Sequence, residues 1–221
     1  MRRFAPLLAL LLLSTSTRAE GLDPQAGAWF GVFAAGPLHG DVMAWFDVHA
    51  RANQDFSGVN YLVRPGVGWR FRPDMVAWLG YAWTPQTQGG AITLDEHRVW
   101  QQWTWDGPRF ESGVRLSLRS RLEQRFANGE VGLRFRQFVR VQSPFLGGGP
   151  VLLAAWDEAF VAFNDTSFQA AGFDQNRLFL GVGTKVGSVA RVEAGYFNNW
   201  LSRPGADPFR HVVMVNVFFS W

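Results

Sequence analysis

Arginines and carboxylates alternate with apolar residues along two neighbouring stretches, Gly113 to Phe126 and Glu130 to Val141. Their charged residues share one alternating set of positions in each stretch: Arg115, Arg119, Arg121, Glu123, Arg125, Glu130, Arg134, Arg136 and Arg140. Guanidinium groups bind carboxylates, phosphates and other anions through paired hydrogen bonds. The pattern therefore indicates either a set of internal ion pairs or a site for an anionic ligand.

The histidines and serines raise a second possibility, which is hydrolysis. A serine hydrolase needs a nucleophile, a base and an orienting acid within hydrogen-bond reach. Asp95 or Glu96 could orient His97, and a lipid-facing serine would complete such a site on an outer wall. His39, His49 and His211 are the other histidines, and the candidate hydroxyls are Ser117, Ser120, Ser167, Ser202 and Ser220. No Gly-x-Ser-x-Gly motif surrounds these serines, so a non-enzymatic role is favoured over hydrolysis.

Metal and cofactor chemistry find little support in the residue pattern. The chain contains no cysteine, no His-x-x-x-His pair and no cluster of Asp and Asn with ligand spacing. Gly181 and Gly183 lie inside a strand-like run, so they favour close packing over a phosphate loop. We therefore predict no metal and no cofactor.

The alternation also predicts the elements that carry these residues. Side chains that alternate with a period of two lie on opposite faces of a β-strand. The connection Ala127-Asn128-Gly129 contains the Asn-Gly pair that favours a tight hairpin. A soluble sheet buries its apolar face, whereas a membrane barrel turns that face toward lipid and its charges toward the lumen. The hairpin alone is compatible with both.

The N-terminus indicates export. Arg2 and Arg3 precede a short apolar run, and small residues follow up to Ala19, as in a cleaved secretory signal. We predict a signal peptide over 1–19 and one domain over 20–221. Cleavage would remove Arg2, Arg3 and Arg18 from the 21 basic residues, leaving 18 against 18 acidic ones. The mature charge therefore gives no reason to expect a nucleic-acid partner.

The C-terminus indicates an outer-membrane barrel. Val217, Phe219 and Trp221 share one face of a final strand that ends in an aromatic residue. This arrangement resembles the C-terminal signal that the barrel-assembly machinery recognises in bacterial outer-membrane proteins. We predict that these three residues form an assembly signal.

Between the two ends, the chain reads as a succession of strands. No apolar run after the signal is long enough for a spanning helix. Eleven segments are predicted as strands: Gly27–Ala35, Asp41–Asn53, Val59–Phe71, Met75–Pro85, Leu94–Trp105, Gly113–Phe126, Glu130–Val141, Val151–Phe163, Gln175–Val186, Ala190–Trp200 and His211–Trp221. Bacterial single-chain barrels have even strand numbers, so the expected count is ten to twelve. Short and long connections alternate, as they do in outer-membrane barrels.

Tryptophan is abundant, with 11 residues in the chain. Interfacial girdles place aromatic residues near the ends of membrane strands. The tryptophans near predicted strand ends are Trp29, Trp83, Trp103, Trp105, Trp200 and Trp221. We predict that these six belong to such girdles.

Polar residues on the predicted inward faces form a candidate site, here called the lumen polar cluster. Its members are Glu96, Arg98, Gln102, Arg121, Glu123, Arg125, Arg134, Arg136, Glu158, Arg177, Glu193 and Asn199. The lumen of a small barrel is narrow enough for such side chains to meet across it. A charge-paired plug and an arginine-lined path or pocket for an anion both remain open.

Five runs of the sequence carry a family resemblance: Glu96–Gln102, Arg121–Phe126, Phe163–Thr166, Phe173–Gly181 and Glu193–Asn199. Together they resemble a bacterial outer-membrane family, the domain of unknown function 2490. The likeness covers most of the mature chain and is strongest from Glu96 to Trp221. The resemblance implies a barrel fold in the outer membrane and implies no activity.

Three hypotheses follow. The favoured one is an all-β, antiparallel transmembrane barrel in the outer membrane of a Gram-negative bacterium, with a structural role or limited binding or passage of a small anionic ligand. Its partners would be outer-membrane lipid, the barrel-assembly machinery and that ligand. The second is an outer-membrane hydrolase that acts on lipid or lipopolysaccharide. The third is a secreted soluble β-sheet protein, in which the Val, Leu and Phe faces would pack together.

Overall fold

In the part of the chain that the structure describes, eleven strands form a closed β-barrel. The computed structural model describes residues 25–52, 58–145, 149–202 and 208–221; the predicted signal peptide lies outside them. The barrel strands are β1 (Gln25–His39), β2 (Val42–Ala52), β3 (Val59–Arg72), β4 (Met75–Trp83), β7 (His97–Arg109), β8 (Arg115–Ala127), β9 (Glu130–Pro144), β10 (Val151–Ala162), β11 (Gly172–Val186), β12 (Ala190–Leu201) and β13 (Phe209–Ser220). All eleven predicted segments correspond to barrel strands. A separate two-stranded hairpin, β5 (Gln86–Gln88) and β6 (Ala91–Leu94), was not predicted.

The two ends of the barrel differ in their connections. At one end, here called the turn side, the connections are 40–41, 73–74, 110–114, 145–150 and 187–189. The other end, the loop side, carries 53–58, 84–96 with the β5–β6 hairpin, 128–129, 163–171 and 202–208. Four of the five loop-side connections are as long as, or longer than, the longest turn-side one. The predicted rhythm of short and long connections is therefore present.

An odd number of strands closes because the first and last strands run in the same direction. Strand β1 pairs with β13 in parallel, from Gln25 opposite Arg210 to Ala35 opposite Ser220. Every other neighbouring pair in the barrel is antiparallel. The expectation of an even number was wrong, because it assumed antiparallel pairing at the closure.

The β8–β9 hairpin shows how alternation builds the wall. Asn128 and Gly129 both have positive φ, 52° and 75°, which is the backbone of the predicted tight turn. Leu122 and Leu133 point outward and are exposed, whereas Arg121 is buried inside. The apolar faces thus cover the outside of a closed barrel and do not pack together, contrary to the soluble β-sheet hypothesis.

Part of the interior is filled by tryptophan. Trp78 and Trp100 are buried in one cluster with Met43 and Ala82. The Trp100 ring lies against a bare glycine backbone, since a Cβ on Gly80 would stand 2.2 Å from Trp100 Cζ2. Tryptophan rings that pack against glycine backbone therefore fill this part of the lumen.

The girdle prediction was wrong for Trp29. This residue points into the lumen, where its ring centroid lies 4.6 Å from that of Phe197. It packs against a second apolar cluster of Ala154, Phe179, Phe197, Val212 and Met214. Strand β1 is apolar on both faces, so its sequence does not indicate which face points inward.

A few polar side chains lie on the outer wall at mid-strand. The Asn176 amide donates to both carboxylate oxygens of Asp157, at 3.1 and 3.0 Å. Ser120 donates to Gln137 Oε1 at 2.7 Å on the same wall. These groups satisfy one another across neighbouring strands, which lowers the cost of placing them on an apolar surface.

Within the described residues, no helix has the length and apolar character needed to cross a bilayer.

Candidate functional site

The lumen polar cluster lies inside the barrel. Eleven of its twelve residues are buried, and the side chain of the twelfth, Arg177, is 12% exposed. Period-two alternation on β7 to β12 places them on one inner surface. They separate into several groups, which the following paragraphs describe.

Glu96 pairs with two arginines where the chain enters β7. Its carboxylate accepts two hydrogen bonds from Arg98, at 2.8 and 2.9 Å. Arg125 donates to the same two oxygens through Nε and Nη2. Burial alone would raise the pKa of Glu96, but the Arg98 charge and the hydrogen bonds from Arg125 and Arg98 hold it well below its ordinary value.

Glu123 and Glu158 continue this arrangement across β8, β9 and β10. Glu123 accepts from Arg134 Nη2 and from Arg136 Nη1, each at 2.7 Å. Arg136 also donates to both oxygens of Glu158, at 3.0 and 2.9 Å. Because Arg136 bridges the two carboxylates, the three strands are joined by one buried chain of ion pairs.

Arg121 is held mainly by a neutral partner. Its Nε donates to Gln102 Oε1 at 2.8 Å, and its Cζ lies 4.7 Å from the Trp100 ring centroid. The nearest carboxylate oxygen, on Glu123, is 3.8 Å from Nη1. The Arg121 side chain therefore joins the tryptophan cluster to the ion-pair chain.

Two members of the cluster lie apart from this chain. Glu193 pairs with Arg140 and with Arg191, whose Nε lies 2.8 Å from Oε1. Asn199 is buried beside Arg177, its neighbour in the β11–β12 register. No hydrogen-bond donor among the described residues reaches Asn199 Oδ1.

Sequence reasoning left a second buried ion pair out of the candidate site. Arg64 donates to both oxygens of Asp47, at 2.7 and 2.6 Å. Trp45 Nε1 and His49 Nε2 contact the same carboxylate at 2.6 and 2.7 Å. The alternation of β2 and β3 carries the same signal as that of β8 and β9, so Asp47 and Arg64 could have been included.

The described residues enclose two cavities in opposite halves of the lumen. The loop-side cavity has a volume of about 890 Å³, and the turn-side cavity about 970 Å³. Among the described residues, seven arginines and one carboxylate, Asp174, line the loop-side cavity. In the same part of the chain, nine arginines, Lys185 and two carboxylates line the turn-side cavity. The charged side chains that line both cavities are therefore mainly basic, and buried carboxylates behind the lining pair with several of them.

The two cavities share four lining residues, which we call the waist: Trp29, Arg51, Arg136 and Arg177. Strands β1, β2, β9 and β11 supply one residue each. The waist is the place where the loop-side and turn-side cavities approach each other. An anion that moves between the cavities would pass these arginines.

The loop side of the lumen is partly covered by the 163–171 connection. Arg125 Nη1 donates to Gln169 Oε1 at 3.0 Å, and Arg125 Cζ lies 5.1 Å from the Phe168 ring centroid. The β5–β6 hairpin is attached to β3, where Thr87 Oγ1 donates to the Val59 carbonyl at 2.6 Å. These contacts give the loop-side cavity a shaped wall.

Among the described residues, His97 and His49 contact groups other than serine. His97 Nδ1 lies 2.5 Å from the Tyr81 hydroxyl, and His97 Nε2 lies 3.5 Å from Asp95 Oδ2. His49 is inside the lumen, between Asp47 and Arg51. The pairing of histidine with a lipid-facing serine that the hydrolase hypothesis requires is not formed by these two residues. The described residues also contain no group of three or more His, Cys, Asp or Glu side chains arranged to hold a metal.

The C-terminal residues lie at the parallel seam between β1 and β13. Val217, Phe219 and Trp221 occupy alternate positions, and the two aromatic residues are exposed. Trp221 Nε1 donates to the Pro37 carbonyl at 3.0 Å. The Trp221 ring also lies where a Cβ on Gly36 would come within 2.5 Å of it. Trp221 thus contacts the first strand and directly follows the last one, β13.

Comparison with known proteins adds the family. A family model described as "Protein of unknown function (DUF2490)" matches residues 26–210. The chain belongs to this family. An uncharacterized protein of Methylorubrum extorquens is 33% identical over 222 residues, covering 97% of this chain and 96% of the other. The resemblance predicted from sequence is confirmed, and the family description states no activity.

Proposed function

We propose that the protein is an outer-membrane β-barrel of a Gram-negative bacterium that binds a small anionic ligand in its lumen and allows at most limited passage. The observation that carries the proposal is the lining of the cavities. Basic side chains outnumber carboxylates seven to one in the loop-side cavity and ten to two in the turn-side cavity. Guanidinium forks recognise carboxylate and phosphate groups by paired hydrogen bonds.

The outer wall supports the membrane part of the proposal. Large exposed apolar side chains occur on the outward faces of strands around the barrel, among them Phe46, Trp69, Leu79, Leu180 and Val213. Membrane barrels carry an apolar band on the outside and polar residues within. A monomeric soluble protein rarely exposes so extensive an apolar surface.

The buried ion pairs argue against a wide pore. Glu96, Glu123 and Glu158 each receive hydrogen bonds from at least two arginines, so these side chains brace the interior. Open aqueous channels occur in barrels of 16 to 18 strands. An eleven-stranded barrel with tryptophans in its lumen fits selective binding better than general diffusion.

Two measurements test this function. Cell fractionation should recover the protein in the outer membrane; recovery in the soluble periplasmic fraction would contradict the membrane assignment.

The refolded protein in a planar bilayer should bind or pass small anions in preference to cations. Arg134→Ala removes a bracing residue that lines the loop-side cavity, so it should weaken anion selectivity and also lower thermal stability. An Arg72→Ala control, in an exposed turn-side position, should change neither.

A further inference from the structure

Two arginines of the waist share one aromatic ring. Arg51 Cζ lies 4.7 Å from the Trp29 ring centroid, and Arg177 Cζ lies 5.2 Å from it. The two guanidinium carbons are therefore no more than about 10 Å apart. Strands β2 and β11 supply the two arginines from different parts of the wall.

These two arginines lack the close carboxylate that most bracing arginines have. The carboxylate oxygen nearest to Arg177 belongs to Glu158, 4.0 Å from Nη1. The polar contact of Arg51 is with His49 Nδ1, at 3.5 Å. The Nε atoms of both arginines are buried, and no hydrogen-bond partner among the described residues reaches them.

The third waist arginine does not supply further free charge. Arg136 is already paired with Glu123 and Glu158. The waist consequently has about two positive charges that the described carboxylates do not neutralise at hydrogen-bond distance. Like charges confined near each other are costly unless a counter-charge is present, and an anion with two negative charges would supply it.

We propose that the waist is a binding site for a phosphate group, held between Arg51 and Arg177. This inference rests on the proposed anion-binding function and identifies the ligand class and the residues. The guanidinium groups would donate to the phosphate oxygens. The unpaired Asn199 Oδ1, on the loop-side cavity, matches a hydroxyl donor on a phosphate ester or on a protonated phosphate.

The test is titration of the refolded full-length protein with inorganic phosphate, glycerol phosphate and acetate, followed by calorimetry and thermal unfolding. Wild type should bind both phosphates at least tenfold more tightly than acetate. Arg51→Gln and Arg177→Gln should each weaken phosphate binding at least tenfold. Arg72→Gln, which removes an exposed charge outside both cavities, is the matched control and should bind as wild type.

The melting temperature distinguishes a phosphate-binding role of these arginines from a purely structural one. Without phosphate, the melting temperature of the Gln variants should equal or exceed that of wild type, because a repelling charge has been removed. Phosphate should raise the melting temperature of wild type and raise that of the variants far less. A marked fall in melting temperature of the Gln variants in phosphate-free buffer, or their failure to fold, would overturn the proposal in favour of a bracing role.

The remaining outcomes distinguish this inference from the proposed function. Phosphate binding that survives both Gln substitutions would eliminate the waist site while leaving anion binding in the lumen intact. Failure of wild type to bind any of the three anions, with no anion preference in the bilayer, would overturn both. Glycerol phosphate binding at least tenfold tighter than inorganic phosphate, lost in Asn199→Ala, would identify an ester as the ligand.

Discussion

Glu96 is the residue on which the largest single effect is expected. Glu96→Gln keeps the size of the side chain but leaves Arg98 and Arg125 without their shared carboxylate. Removing one partner of a buried ion pair costs about 3 to 5 kcal/mol. We therefore expect the free energy of unfolding to fall by that amount in denaturant titrations. Glu111→Gln, at an exposed position, should stay within about 0.5 kcal/mol of wild type.

Glu96 should also make the free energy of unfolding depend on pH. The folded-state pKa of Glu96 is lowered from an ordinary value of 4.5. Its contribution is thus complete above that pH and is lost as the pH falls through the lower folded value. Unfolding free energies measured from pH 7 to pH 3 should decrease below pH 4.5 in wild type and decrease less steeply in Glu96→Gln. Equal slopes would contradict the assignment.

At the residue scale, the sequence predicted which side chains point inward but not which ones meet. Alternation is local, so Glu123 and Arg136 could be assigned to one inner surface from their positions alone. Contacts across the lumen depend on strand register and curvature, which alternation does not determine. Trp29 was misplaced because both faces of its strand are apolar, and with it the Arg51–Arg177 pair was missed.

Packing between neighbouring strands gives a prediction at the scale of elements. A Cβ on Gly80 would meet Trp100 Cζ2 at 2.2 Å and the Pro65 carbonyl oxygen at 2.4 Å. Gly80→Ala should therefore destabilise the barrel by about 1 to 3 kcal/mol, as overpacking usually does. Combining it with Trp100→Leu should cost less than the sum of the two single changes. Additive unfolding free energies would show that the ring and the glycine are not coupled.

Replacing the outer-wall pair of Asp157 and Asn176 should increase the stability of the barrel. A carboxylate on a lipid-facing wall is destabilising, by less than the roughly 2 to 4 kcal/mol found for basic residues at the bilayer midplane. Asp157→Leu combined with Asn176→Leu should therefore raise stability in lipid vesicles, by about 1 kcal/mol. Asp41→Leu, in a turn, should not. A loss of stability in the double variant would mean that this wall is not simply facing lipid.

The barrel strands could be predicted from the sequence, whereas the β5–β6 hairpin could not. Ten of the eleven barrel strands contain eleven or more residues, and alternation over most of these strands gives a strong periodic signal. β5 and β6 contain three and four residues, too few for a period to be recognised. Their position depends on tertiary contacts with β3, such as that of Thr87 with Val59.

At the scale of the whole molecule, a barrel that spans the membrane should expose its loop side and its turn side to different compartments. Cysteine is absent from the chain, so single-cysteine variants report one position each. Thr93→Cys lies on the loop side and Ser188→Cys on the turn side. A membrane-impermeant thiol reagent should label only Thr93→Cys on intact cells and both variants after lysis. Labelling of both positions on intact cells would contradict a barrel that spans the membrane.

Eleven strands were within the predicted range of ten to twelve, but the parallel closure that permits an odd number was not predicted. Eleven segments were counted, but pairing between the first and last strands involves residues 185 positions apart, such as Ala26 and His211. Nothing in either strand alone distinguishes a parallel from an antiparallel neighbour. The closure is therefore a property of the complete barrel.

The parallel seam also limits how this barrel can be rearranged or enlarged. In a barrel closed by antiparallel strands, the two chain ends lie on one side, and a few residues can join them. Here β1 starts on the loop side and β13 ends on the turn side, so a circular permutant needs a linker that follows the wall for roughly 40 Å, at about 3.4 Å per residue. Duplication of a hairpin adds two strands and keeps the number odd. A lineage that grows by hairpins would therefore retain the seam, and gain or loss of a single strand would be required to remove it.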